Sequence, residues 1–290
     1  MIATKQRSLN RRRDNAFTLT DLITVLAVLL ILGAIQSPSV ANTKGKGQVA
    51  SCLSNHRHLV SAWQSYAQDN NGTLVGNVSS LANSNITWVL GWLDPNPGND
   101  SAFPQKYGGQ ANTNTFVLSH LSPLSPYLGH SAGVFKCPAD KSLSGGITGS
   151  PRVRSLSMNG YMGGDHPYTS AYKQFKKISE ITDPRPSHAF VFTDEREDSI
   201  NDGALMIDLK GFNPVDPTLF TIVDFPADWH NRGANLSFAD GHTETWRWRD
   251  PRTMPPHRLG AGIPLGVASP NNPDVARIQT ATSRRITQGN

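Results

Sequence analysis

The acidic run "TDEREDSINDG", residues 193 to 203, has the side chains that could bind a hard cation. Asp194, Glu195, Asp198 and Asp202 offer carboxylate oxygens, and Gly203 permits a sharp turn, which together make calcium the candidate cofactor. The register departs from an EF-hand loop because Ile200 occupies the third position counted from Asp198. A solvated acidic loop with Arg196 as its internal counterion is the favoured expectation. His230 and Asp240, nine residues between them, form a conceivable acid–base pair. No HExxH, GxSxG, P-loop or GxGxxG pattern accompanies them, so His230 is expected to hydrogen-bond to a turn or a sheet, and the chain is not expected to be an enzyme.

Cys52 and Cys137 are the only cysteines, too few for a disulfide scaffold or a cysteine-based zinc site. In an oxidising compartment they form one candidate disulfide closing a long loop, with a stabilisation of about 3 to 4 kcal/mol. The alternative is two buried free thiols. The nine histidines show no metal-ligand spacing. Trp88 and Trp92, four residues apart, would share a face of a strand, which allows a glycan-binding platform or ordinary core packing.

The elements that must position these groups follow from periodicity. Val49, Leu53, His56, Val60, Trp63 and Ala67 recur at helical spacing and predict an amphipathic helix ending at "DNNG", 69 to 72. Strands are predicted at 86 to 93, 188 to 195 and 203 to 209. The stretch "WHNRGANLSFADGHTETWRW" predicts a hairpin with Asp240-Gly241 in its tight turn, Leu236 and Phe238 on one face, and Trp246 and Trp248 together on the returning strand. From 251 onward Pro, Gly and Asn dominate, giving a loop-rich tail with a short helix at 272 to 284.

The N-terminal segment "RRRDNAFTLTDLITVLAVLLILGAIQ" sets a basic cluster against an apolar run that holds one acid, Asp21. Residues 17 to 35 predict a transmembrane helix with a cytoplasmic N-terminus, and Pro38, Gly45 and Gly47 predict a kink or a meltable segment after it. Lys5, Arg7, Arg11, Arg12 and Arg13 against Asp14 carry +4 of the formal charge of +5, so the body is nearly neutral and no nucleic-acid partner is expected. Two processing routes are open: a secretory signal cleaved after Ala41, or cleavage between Ala16 and Phe17 with the apolar run retained.

"AFTLTDLITVLAVLLILGAI" resembles the N-terminus of type IV pilins and type II secretion pseudopilins. The resemblance makes Ala16 the residue before cleavage, Phe17 the N-methylated mature terminus, and Asp21 the acid that pairs with a neighbouring subunit during assembly. Ala16 stands where Gly is usual, and Asp21 where Glu is usual. The H-x9-DG element His230, Asp240, Gly241, together with "CLSNHRHLVSAWQSYAQDNNG", "VFKCPAD", "SMNGYMGG" and "FVFTDEREDSINDG", resembles a group of prepilin-like bacterial proteins.

The implied organisation is a leader at 1–16, a helix at 17–72, a head at 73–250 and a tail at 251–290. The implied fold is α+β and pilin-like: a long N-terminal transmembrane and amphipathic helix followed by an antiparallel-sheet globular head. The implied role is a filament subunit, inserted once in the inner membrane with a periplasmic head. Its implied partners are a prepilin peptidase, other pilin-like subunits, an inner-membrane assembly platform and the lipid bilayer. A membrane-anchored or released binding protein is the alternative.

Overall fold

The computed structural model describes residues 18–77, 87–93, 111–145, 148–164 and 171–286, and for 32–44 the backbone alone. The chain divides into two compact units, 1–44 and 45–290. Helix α1 runs Leu19–Asp69, and its backbone stays helical through Pro38, Gly45 and Gly47, where a kink or a meltable segment is expected. Its start is set by a capping box: the N–H and Oγ1 of Thr18 both donate to Asp21 Oδ2, at 2.9 and 2.6 Å, while Asp21 N–H donates to Thr18 Oγ1 at 3.3 Å. These bonds hold the Asp21 carboxyl below its usual range. The acid in the apolar run therefore has a local partner. The helix ends where Asn71 and Gly72 take positive φ, 54° and 77°.

Among the described residues no helix is long and apolar enough to cross a membrane. This overturns the transmembrane span expected over 17–35, and with it the anchored pilin-like fold and the single-pass inner-membrane placement. Thr20, Asp21 and Thr24 interrupt the apolar residues in the first turns of α1. Phe17 and the expected cleavage site at Ala16 lie outside the described residues.

In the larger unit, the short hairpin of β1 (Leu143–Gly145) and β2 (Thr148–Pro151) precedes the main sheet. That sheet takes β3 (Leu156–Asn159), β4 (Phe190–Asp194), β5 (Ala204–Leu205), β7 (Gly233–Phe238) and β8 (Thr243–Arg247), in the order β5-β3-β4-β7-β8. It is mixed, because β5 runs parallel to β3; the expected head sheet was antiparallel. A two-stranded ribbon of β6 (Thr221–Ile222) and β9 (Val267–Ala268) and the helix α2 (Pro273–Thr280) come from the chain around and within the tail.

The inner strands β3, β4 and β7 are buried on both faces, whereas the edge strand β8 is largely exposed. Cys52, Leu59, Val60, Trp63 and Ala67 of α1 pack with Leu156, Met158, Val191 and Phe192. On the other side Phe190, Leu236, Phe238, Trp246 and Trp248 pack with Ile278 of α2. The tail is thus a structural layer.

A β-bulge decides which face β4 presents. Phe190 pairs with Phe238 and Phe192 with Ser237, so one residue of β4 is unmatched. Strict alternation would put Phe190 and Phe192 on one face. Instead Phe190 joins the core with α2 and Phe192 the core with α1. Asp194, two residues further, consequently faces α1.

Of the strand expected over 86–93, the described residues 87–93 form none: Thr87 makes one bridge to Gly76, and Gly91 at φ 95° turns the chain. Trp88 is fully buried, its Nε1 donating to Gly203 O at 2.9 Å, whereas Trp92 is 39% exposed. The two do not form a shared aromatic platform.

Candidate functional site

The residues with the densest polar convergence meet beneath α1. Cys52 and His56 come from its inward stripe, one helical turn apart. Cys137 follows the single-turn helix Ala132–Phe135, Asp194 ends β4, and His230 stands just before β7. All five are buried, none more than 2% exposed.

Asp194 is the hub. Cys52 Sγ donates to its Oδ1 at 3.2 Å, and His56 Nε2 lies 3.2 Å from the same oxygen. His230 Nε2 is 3.3 Å from Oδ2, which also accepts from the Asn235 N–H at 2.9 Å. His230 Nε2 is also 3.2 Å from Cys137 Sγ, and the Ala139 N–H donates to that sulfur at 3.4 Å. Among the described residues this is the group of Cys, His, Asp and Glu in which four ligand atoms, from Cys52, Cys137, Asp194 and His230, lie within 4.8 Å of one another.

The electrostatics follow from this packing. Burial opposes ionisation of Asp194, but His56 and His230 outweigh it and hold the carboxyl below its ordinary range. Burial likewise opposes charge on His230, yet bonding to Asp194 and Cys137 pushes it up to about 10. The thiols part company: burial raises Cys52 well above its usual value, while the contact with Cys52 lowers Cys137.

Several expected sites are redistributed. Cys52 and Cys137, the expected disulfide pair, are brought together as buried free thiols. His230 and Asp240 are not partners: Asp240 Oδ1 takes His242 Nδ1 at 2.5 Å in the exposed turn, where Gly241 supplies φ 95°. The calcium set is dispersed. Asp194 belongs to the cluster, and Glu195 faces away from it and accepts from Ser199 Oγ at 2.8 Å. Asp198 takes Arg196 Nε and the other guanidinium arm at 2.5 and 2.9 Å, and Asp202 accepts from the Ala204 N–H at 2.7 Å. Adjacent residues of an extended chain point to opposite faces, so consecutive acids cannot all turn toward one cation. Nor is the segment a solvated loop, since Arg196 and Asp198 are buried as an ion pair.

By spacing alone His56 belongs only to the helical stripe. The available signal was a histidine at an inward position, where burial requires a polar partner.

The tail is pinned beside the cluster by His257, whose Nε2 is 2.8 Å from Asp228 Oδ1 and whose Nδ1 is 2.9 Å from Glu197 Oε1. Asp228 and then Glu197 push this imidazole up to about 10, against burial and the nearby Arg196. A raised histidine stabilises the fold fully below its unfolded value near 6.5, and that stabilisation is lost as pH rises through about 10. Urea denaturation at several pH values should show wild type losing about 1 to 2 kcal/mol more than His257→Gln across that window, after allowance for solvent screening. Parallel pH profiles for the two proteins would contradict this.

The chain matches no family model, no curated protein and no solved structure. Fold and site define an α+β domain in which a buried thiol, imidazole and carboxylate cluster lies between a helix and a mixed sheet.

Proposed function

We propose that the chain is a structural subunit of a filament of the type II secretion pseudopilus or type IV pilus kind, released from its leader between Ala16 and Phe17 by a prepilin peptidase. The observation that carries this reading is the first part of α1. Leu22, Ile23, Val25, Leu26, Val28, Leu29, Leu30 and Ile31 are 48 to 74% exposed, and they cover every side of the helix. A helix apolar all round requires cover from other protein or lipid. The same helix from neighbouring copies supplies that cover, packed as the core of an assembly. The Asp21 capping box keeps the helix start intact while the apolar residues make those contacts.

Sedimentation and electron microscopy of the full chain, compared with a Leu26→Glu/Leu30→Glu variant, test this. Wild type is expected to form elongated oligomers and the double variant to remain monomeric with an unchanged head. A wild-type chain that stays monomeric at the highest attainable concentration would overturn the reading, as would a variant that still assembles.

A further inference from the structure

We propose that Cys52, Cys137, Asp194 and His230 form a closed, structural zinc site. Two thiolates, one imidazole and one carboxylate are a donor set that zinc accepts, and four protein ligands without an open position are the pattern of a structural centre. Zinc bonds of about 2.0 to 2.3 Å in a tetrahedron place neighbouring ligand atoms about 3.3 to 3.8 Å apart. Three contacts among these residues are of that size, 3.2 Å from Cys52 Sγ to Asp194 Oδ1, 3.2 Å from Cys137 Sγ to His230 Nε2 and 3.3 Å from His230 Nε2 to Asp194 Oδ2, and the four ligand atoms all lie within 4.8 Å of one another.

The surroundings are those of a metal centre. Ligating carboxylates are themselves held by hydrogen bonds. Here the Asn235 N–H holds Asp194 Oδ2, and His56 Nε2 holds Oδ1. Thiolates bound to metal accept backbone N–H groups, and Ala139 N–H is directed at Cys137 Sγ. On binding, both thiols and the His230 imidazolium release their protons to solvent, and the dication offsets two of the three negative ligand charges in a site whose ligands are at most 2% exposed. A disulfide would account for the two sulfurs, but it would leave unexplained why a fully buried carboxylate and an imidazole converge on them.

The test uses the full chain, reduced and stripped of metal with a chelator, then titrated with cobalt(II) and challenged with zinc. Expected are one equivalent of cobalt, thiolate-to-cobalt charge transfer with the visible bands of a tetrahedral centre, and displacement by zinc. Cys137→Ser should lower affinity about 100-fold or more, and His56→Gln, which acts through Asp194, about 10- to 100-fold. If Cys137→Ser fails to fold, the wild-type spectrum alone decides. Wild type without charge transfer overturns the proposal, and so does a peptide map of the native protein showing a Cys52–Cys137 disulfide.

Discussion

Asp194→Ala is expected to cost about 3 to 5 kcal/mol in the unfolding free energy of the metal-free, reduced protein, the range for removing one partner from a buried charged network. The carboxylate receives Cys52, His56, His230 and the Asn235 N–H, all within 3.3 Å of one of its oxygens. Its loss leaves a buried imidazole that had been pushed up to about 10 with no counter-charge, and a buried N–H with no acceptor. Asp194→Asn keeps the shape and one acceptor, so it should cost less. Urea midpoints at equal m-values measure both. A loss below about 1 kcal/mol for the alanine variant would remove Asp194 from the centre of the site.

Trp88→Ala should cost a similar amount, about 3 to 5 kcal/mol, by opening a cavity in the core under α1. The indole stacks on Phe135 at 5.9 Å, meets Phe192 edge-on at 5.0 Å, and gives its Nε1–H to Gly203 O. Trp92→Ala, at a half-exposed position, should stay within about 0.5 kcal/mol of wild type. Thermal and urea unfolding of the two variants compare them directly. Equal effects would contradict a core role for Trp88, and reversed effects would make Trp92 the structurally important member of the pair.

The parts of this fold that sequence reveals are those with local causes. The inward stripe of α1 follows from spacing, and the hairpin turn follows from Asp240-Gly241, where positive φ is required. Asp21 also had a local explanation, because Thr18-x-x-Asp21 places a carboxylate three residues after a hydroxyl at a helix start. The apolar run around it predicts a membrane span, whereas among the described residues no helix is long and apolar enough to be one. The cluster is illegible for a different reason. Its ligands are scattered along the chain, and the face on which Asp194 emerges depends on a single unmatched residue in β4 that leaves no mark in composition. Asp194 therefore looked like one acid among several in a run that, in the fold, sends its members to different partners.

The separation of those ligands also has a consequence for the order in which the molecule is made. The contact from Cys52 to Asp194 spans 142 positions of sequence, and that from Cys137 to His230 spans 93. Closing loops of this length is slow, and contacts so distant form after local helices and turns. A nascent chain that has made α1 holds Cys52 and His56 but not Cys137, Asp194 or His230, and a chain that has made β4 still lacks His230 before β7. The five side chains can meet only when nearly the whole sheet is in place. Reactivity of the two thiols toward a small alkylating reagent would therefore act as a clock for the final stage of folding, staying high through every partial structure and falling only when the last strands dock.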